Sequence, residues 1–292
     1  MPLATQCPFD HAVISVRGRM DEAEAIFRRM GFTLTERGFH LTGSCNHLMV
    51  FGEDYLELIG FPPQGQAIRP DLLESPIGLD GLVLKAGDVQ GIHRQLVALG
   101  FPAGEPQALA RKLTLPGAQD EQEARFTTVR LPRGAIQGGR LYYCRHETPQ
   151  FIWHPPFMSH TNGATGIASF TIAVPDPAAE IARYEKILGS RGSFRDDGSA
   201  RIAMGQAELE LLKPALLRSR LGALACDPAD ADGKARNAYM AMVTVRVRDL
   251  DAAREVLRRG GLTFGDIGEG IAVAASEAMN CSIGFVPAAP AS

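Results

Sequence analysis

The sequence predicts an α+β protein built from four successive β-α-β-β-β units, and three observations carry that prediction. Short β-prone runs recur in the same order around one amphipathic helix. Glycine follows the helical stretches at Gly31, Gly100 and Gly260-Gly261. The third observation is arithmetic: Val16 and Val174 share an offset of 158 with Gly31 and Gly189, and Gly52 and Gly205 share an offset of 153 with Glu57 and Glu210.

The first unit, 8–62, opens with an apolar strand from Phe9 to Val16. Met20 to Met30 reads as a helix, because Asp21, Glu22 and Glu24 suit its positive end, Ile26, Phe27 and Met30 share one face, and Gly31 stops it. Phe32–Thr35, Leu48–Phe51 and Tyr55–Ile59 are its later strands, with Gly52-Glu53-Asp54 as the tightest turn. The second unit, 78–150, repeats this with a strand at Gly81–Lys85, a helix at Val89–Leu99 and strands at Arg125–Leu131 and Arg140–Cys144. Between them, Gln107 to Gln122 is a polar insertion read as a loop with one short strand, Lys112 to Leu115. The third unit, 167–214, has its first strand from Ser169. The fourth, 239–287, has a strand at Val243–Val247 and a helix at Leu250–Arg259. The segment Trp153 to Gly166, rich in Pro, Asn and Gly, lies midway, so the chain is expected to form domains 1–153 and 167–292 around a linker at 154–166.

Composition excludes several functions. The formal net charge is -3 and the 30 basic residues are spread along the chain, which leaves no electrostatic footprint for nucleic acid or an anionic membrane. No apolar run approaches a membrane span, and the N-terminus lacks the basic and apolar segments of a secretion signal. Five widely spaced cysteines with no C-x-x-C pair argue against a disulfide framework or zinc knuckle and for a cytoplasmic protein. Phosphate-loop, nucleophile-elbow and dinucleotide-binding motifs are all missing.

Chemistry concentrates on Tyr55-Leu56-Glu57-Leu58-Ile59, an apolar strand with a carboxylate at its centre. Burying an unpaired carboxylate costs several kcal/mol, so Glu57 needs a partner. A metal ion shared with His11 would serve, and so would a set of hydrogen-bond donors or an arginine such as Arg111, Arg125 or Arg130. His11 itself is open to two roles, as a ligand or as a core histidine bonded to backbone.

The motifs Asp10-His11-Ala12-Val13, Gly52 to Ile59 and Leu141 to Trp153 resemble the vicinal oxygen chelate superfamily of glyoxalases, bleomycin-resistance proteins and extradiol dioxygenases, and within it the glyoxalase-like-domain proteins. The resemblance implies two tandem half-open sheet shells, each made by two units, with any metal in the concave centre. It places ligands on the first and last strands of paired units, which gives His11 and Glu57. In the second unit Gly81 aligns with His11 and the final strand lacks a carboxylate, so His146 is expected to complete the set. Two imidazoles and one carboxylate would hold one divalent ion, Fe2+, Mn2+, Zn2+ or Ni2+, with coordination positions open to substrate. The implied function is a metal-dependent lyase or isomerase, or an extradiol-type dioxygenase, acting on a small organic substrate that chelates through oxygen. The alternative is a metal-free protein that binds or sequesters a small molecule in the same concavity.

Further candidates surround that set. Tyr142 and Tyr143 point to opposite faces of one strand, so one enters the cavity as hydrogen-bond donor or acid and the other packs outside. His47 and Arg125 are candidates to line the cavity. Cys144 lies beside Arg145 and His146, which would lower a thiol pKa, and it fits equally as a packing residue. His154 and His160 read as turn histidines of the linker. In the second half, Ser169 and Met242 replace the first-strand histidine and only Glu210 survives, balanced by Arg201 or Arg246. That half is expected to be structural, a cavity wall or a homodimer surface.

Overall fold

The computed structural model describes residues 6–40, 43–61, 70–229 and 232–288. The N-terminal segment before Gln6, position 62 where the first unit is expected to end, and position 292 lie outside them. The first half contains strand β1 (Phe9–Arg17), helix α1 (Met20–Arg29), strands β2 (Gly38–His40), β3 (Cys45–Val50) and β4 (Tyr55–Gly60), the short helix α2 (Pro70–Leu73), strand β5 (Gly78–Lys85), helix α3 (Val89–Ala98) and strands β6 (Gln107–Leu113), β7 (Gln122–Leu131) and β8 (Arg140–His146). The second half contains β9 (Ala164–Ala173), α4 (Pro177–Leu188), β10 (Gly192–Phe194), β11 (Ala200–Met204), β12 (Ala207–Leu212), α5 (Pro214–Leu221), β13 (Tyr239–Val247), α6 (Leu250–Arg259), β14 (Phe264–Ile267), β15 (Gly270–Val273) and β16 (Ser282–Pro287).

Helix boundaries follow local chemistry. Asp176 and Asp249 cap α4 and α6 by accepting from backbone N–H groups two and three residues on, and Gly189 ends α4 in the left-handed region at φ 67°. Helix α1 carries Asp21 and Glu22 in its first turn and Arg28 and Arg29 in its last, and buries Met20, Ala23, Ile26 and Phe27.

The two halves form two eight-stranded sheets. The second is open, in the order β10-β11-β12-β9-β13-β16-β15-β14. The first goes beyond the expected half-open shell and closes into a barrel, β1-β4-β3-β2-β6-β7-β8-β5. Closure depends on β2 and β6, which pair Phe39 with Lys112 and His40 with Arg111. Two expectations change here: Phe32–Thr35 is not a strand, and the polar insertion supplies the full strand β6 in place of a loop with Lys112 to Leu115.

Strand register reproduces the repeat. In the antiparallel pair β1–β5, His11 faces Val83 and Val13 faces Gly81; in β9–β13, Ser169 faces Thr244 and Thr171 faces Met242. Each of these strands also pairs in parallel with the last strand of its own unit, matching Val13 with Glu57, Val83 with Tyr142, Thr171 with Glu210 and Thr244 with Gly284. Tyr142 is therefore the second unit's counterpart of Glu57, and Gly81 is its counterpart of His11.

One apolar core continues from the barrel wall into the open sheet, from Phe9 and Phe27 to Phe170 and Phe285. Asp54 ties the halves together in the turn before β4, its carboxylate accepting from Ile167 N at 3.1 Å and Gln206 Nε2 at 3.1 Å. Burial lifts this carboxyl to about 6 despite those donors and nearby Arg246. Because the folded value lies above the ordinary ~3.9, the contribution is full below about pH 4 and is lost as pH rises through 6, by roughly 3 kcal/mol. Asp54→Asn should gain stability relative to wild type by up to that amount between pH 4.5 and 7.5 in urea unfolding. A constant difference across that range would show that Asp54 does not titrate there.

Candidate active site inside the N-terminal barrel

The inward-facing residues of β1, β3, β4, β6, β7 and β8 enclose a cavity of about 170 Å³. His11, Glu57 and Tyr142 form one part of its wall, with Arg111, Phe126 and Leu48 among the rest. A register shift in β1 between Phe9 and His11 breaks the strict alternation, so that adjacent Asp10 and His11 can interact side chain to side chain.

Asp10 fixes His11. His11 Nδ1 donates to Asp10 Oδ1 at 2.5 Å, and the same oxygen accepts from His146 Nε2 at 3.0 Å. Burial would raise the Asp10 carboxyl, but His146 and His11 outweigh it and hold it well below the usual carboxylate range. With its proton on Nδ1, His11 presents the Nε2 lone pair toward Glu57 Oε2 at 3.7 Å, Tyr142 OH at 3.4 Å and Tyr55 OH at 3.5 Å. The Tyr55 ring stacks on the imidazole at 4.2 Å between centroids.

Glu57 is 6% exposed, and its other oxygen accepts from Asn46 Nδ2 at 2.6 Å. Asn46 in turn accepts from Arg111 Nη1 at 3.0 Å, so one amide bridges the carboxylate and the guanidinium. Burial pushes the Glu57 carboxyl up, yet His11, His40, Asn46 and Arg111 together bring it below its ordinary value. Glu57 is thus held by the Asn46 amide donor, which links it to Arg111, one of the arginines its sequence context left open, and His11 stands 3.7 Å from its other oxygen. Arg125 is exposed and takes no part, while Arg130 stacks over the Tyr142 ring at 4.8 Å.

His11, Glu57 and His146 do not assemble as the expected ligand triad. Asp10, His11 and His146 bring three ligand-type atoms within 4.8 Å of one another, and Glu57 lies outside that group. The reason is geometric: Glu57 addresses Nε2 of His11, whereas Asp10 and through it His146 address Nδ1. His146 also stands four residues beyond Tyr142, the position that register makes equivalent to Glu57. Asp10 is the member that position-by-position transfer from the family does not reach, although it adjoins His11 in Asp10-His11-Ala12-Val13.

Other expectations resolve by strand facing. Tyr142 lines the cavity, and burial followed by the Glu57 charge pushes its phenol up. Tyr143 faces away and donates to the Ile187 carbonyl at 2.9 Å, so it is a core residue. His47 also faces away, donating from Nδ1 to Thr35 O at 2.8 Å and accepting from Arg37 at Nε2. Cys144 lines the cavity, but burial raises its thiol well above the ordinary value, which removes the basis for a nucleophile. His160 is no solvated turn residue: it accepts from Thr33 N and donates to Val50 O from a buried position. In the second half, Arg220 and Arg201 approach Glu210 at 3.0 and 3.6 Å, and Arg246 instead donates to the Ile167 carbonyl.

All five cysteines are free and buried, and no described helix is long and apolar enough to cross a membrane. Among curated proteins none matches the chain. Solved structures share its fold. A hypothetical protein from Staphylococcus aureus has a TM-score of 0.65 at 10% identity, over 97% of this chain and 100% of its own. A mutant of 4-hydroxymandelate synthase from Streptomyces coelicolor has a TM-score of 0.57 at 13% identity, over 98% and 92%. A xylose isomerase-like TIM barrel/4-hydroxyphenylpyruvate dioxygenase fusion protein has a TM-score of 0.57 at 13% identity, over 100% of this chain and 51% of that one. A family model described as glyoxalase-like domain matches residues 9–188, well over half of the sequence, and the chain therefore belongs to the glyoxalase-like domain family.

Proposed function

We propose that the N-terminal barrel is the active site of a divalent-metal-dependent enzyme acting on a small organic substrate. The observation that carries this is the His11 Nε2 lone pair, held by Asp10 and facing Glu57 Oε2 at 3.7 Å and Tyr142 OH at 3.4 Å. The donor set fits a divalent ion of the Fe2+, Mn2+, Zn2+ or Ni2+ group: His11 and Glu57 would be ligands, and Tyr142, at the place equivalent to Glu57, would be the third donor. An ion bound there would polarise a substrate oxygen as a Lewis acid. The protein residues do the rest. Asp10 keeps the His11 tautomer and ring angle, as carboxylates behind ligand histidines do. Tyr55, whose phenol burial holds far above its ordinary value, stays protonated as a donor beside Nε2. Leu48, Ile59 and Phe126 keep the cavity wall apolar. A dioxygenase-type reaction is compatible with the likeness in fold to the 4-hydroxyphenylpyruvate dioxygenase fusion protein, and a lyase or isomerase reaction with membership of the glyoxalase-like domain family.

A metal-free binding or acid–base site is the second reading. It is favoured by Gly81, which leaves one of the four equivalent ligand positions without a side chain; a Cβ there would lie 2.8 Å from that of Val13. Metal analysis of protein purified without chelator separates the two. About one ion per chain is expected for wild type, with losses of tenfold or more in His11→Ala and Glu57→Ala. Wild-type protein without stoichiometric metal, after exposure to each of the four ions, would leave the metal-free reading standing.

A further inference from the structure

Arg111 is 1% exposed and lines the barrel cavity, yet it forms no direct ion pair with any described carboxylate. Nη1 is occupied by Asn46, and Nε and Nη2 have no hydrogen-bond partner among the described residues. Unsatisfied buried donors are costly, and a cationic one more so, which is why native cores seldom keep them. Space has been made for this one: a Cβ on Gly38 of β2 would collide with Arg111 Nη1 and come within 2.7 Å of Asn46 Oδ1. The strand pairing that closes the barrel is also what carries Arg111 inside.

Arg111 stays a cation, because a guanidinium remains protonated even when burial pulls its pKa down. Guanidinium groups match the planar fork of a carboxylate. The remaining wall, Leu48, Ile59, Leu109 and Phe126, is apolar or aromatic.

We propose that the cavity takes a small monocarboxylate with an apolar or aromatic body, its carboxylate held by Arg111 and its body lying along Phe126 and Leu48. This rests on the reading that the barrel cavity is the ligand site, and it holds with or without a metal at His11. Arg111 is the binding residue in it and selects the substrate class.

The test is calorimetric titration of the full chain with benzoate and with its neutral analogue benzamide, on wild type and Arg111→Met. Benzoate should bind wild type at least about tenfold more tightly than benzamide. Arg111→Met should weaken benzoate by roughly ten- to a hundredfold and leave benzamide nearly unchanged. Equal affinity of wild type for the two probes, no benzoate binding, or benzoate binding that survives Arg111→Met would overturn the proposal. The wild-type comparison does not depend on any variant folding. Metal content measured on the same samples separates the two conclusions: metal without carboxylate selectivity sinks this inference alone, and selectivity without metal sinks the metal-dependent reading alone.

Discussion

Asp10→Ala is expected to cost about 3–5 kcal/mol of stability, the range for removing one partner from a buried ionic network. Asp10 is fully buried, and one of its oxygens serves both His11 Nδ1 and His146 Nε2. Alanine would leave both imidazoles without that acceptor. The loss should depend on pH in a defined direction. Because His146 and His11 hold the folded carboxyl below its unfolded value, the stabilisation is fully present above about pH 4 and is lost as pH falls further toward the folded value. Urea unfolding of both proteins at pH 7, 5 and 3 should therefore give a gap that is constant over the first two and smaller at the third. A gap that widens on acidification would show that the ionised carboxylate is not its source.

Asp10 also shows where sequence reasoning stopped. Strand alternation assigns neighbouring residues to opposite faces, so a strand holding His11 in a cavity leaves no role there for Asp10. The shift in register between Phe9 and His11 suspends that rule at one point, and nothing in the residue types announces it. The repeat, in contrast, was legible because offsets survive loop variation. The equal spacings of Glu57 and Glu210 correspond to equal register, Glu57 against Val13 and Glu210 against Thr171.

Facing was the weakest inference wherever both sides of a strand are equally apolar. In β3, Asn46 and Leu48 turn inward and His47 and Met49 turn outward, a choice that hydrophobicity could not make. In β7 the inward set includes Phe126, Thr128 and Arg130, which leaves Arg125 outside. Arg111 was named as a partner for Glu57, but its strand lies in a segment polar enough to read as a loop. Its tertiary position depends on the three-residue strand β2, too short to register as a pattern. The elements that set the chemistry of the cavity are thus the least regular ones. Barrel closure depends on pairing partners more than 70 residues apart in the chain, and local propensity does not encode that.

Register leads to the second large effect. Tyr142 stands where the second unit's carboxylate would be, opposite Val83 as Glu57 stands opposite Val13. Tyr142→Glu would restore the carboxylate. Without metal, two buried carboxylates would share one cavity corner, and like charges in a low dielectric together with a lost aromatic body should destabilise the barrel by about 3 kcal/mol or more. A divalent ion bound between His11, Glu57 and the new Glu would neutralise both. Zinc or manganese should therefore raise the melting temperature of Tyr142→Glu by several degrees more than that of wild type, since a ligand specific for the folded state stabilises in proportion to RT ln(1 + [L]/Kd). Tyr142→Phe separates charge from size: it removes the donor, should cost about 1 kcal/mol or less, and should not respond to added metal beyond wild type. If metal fails to rescue Tyr142→Glu, Tyr142 does not occupy a ligand position, and His11 and Glu57 are then an acid–base pair with no ion between them.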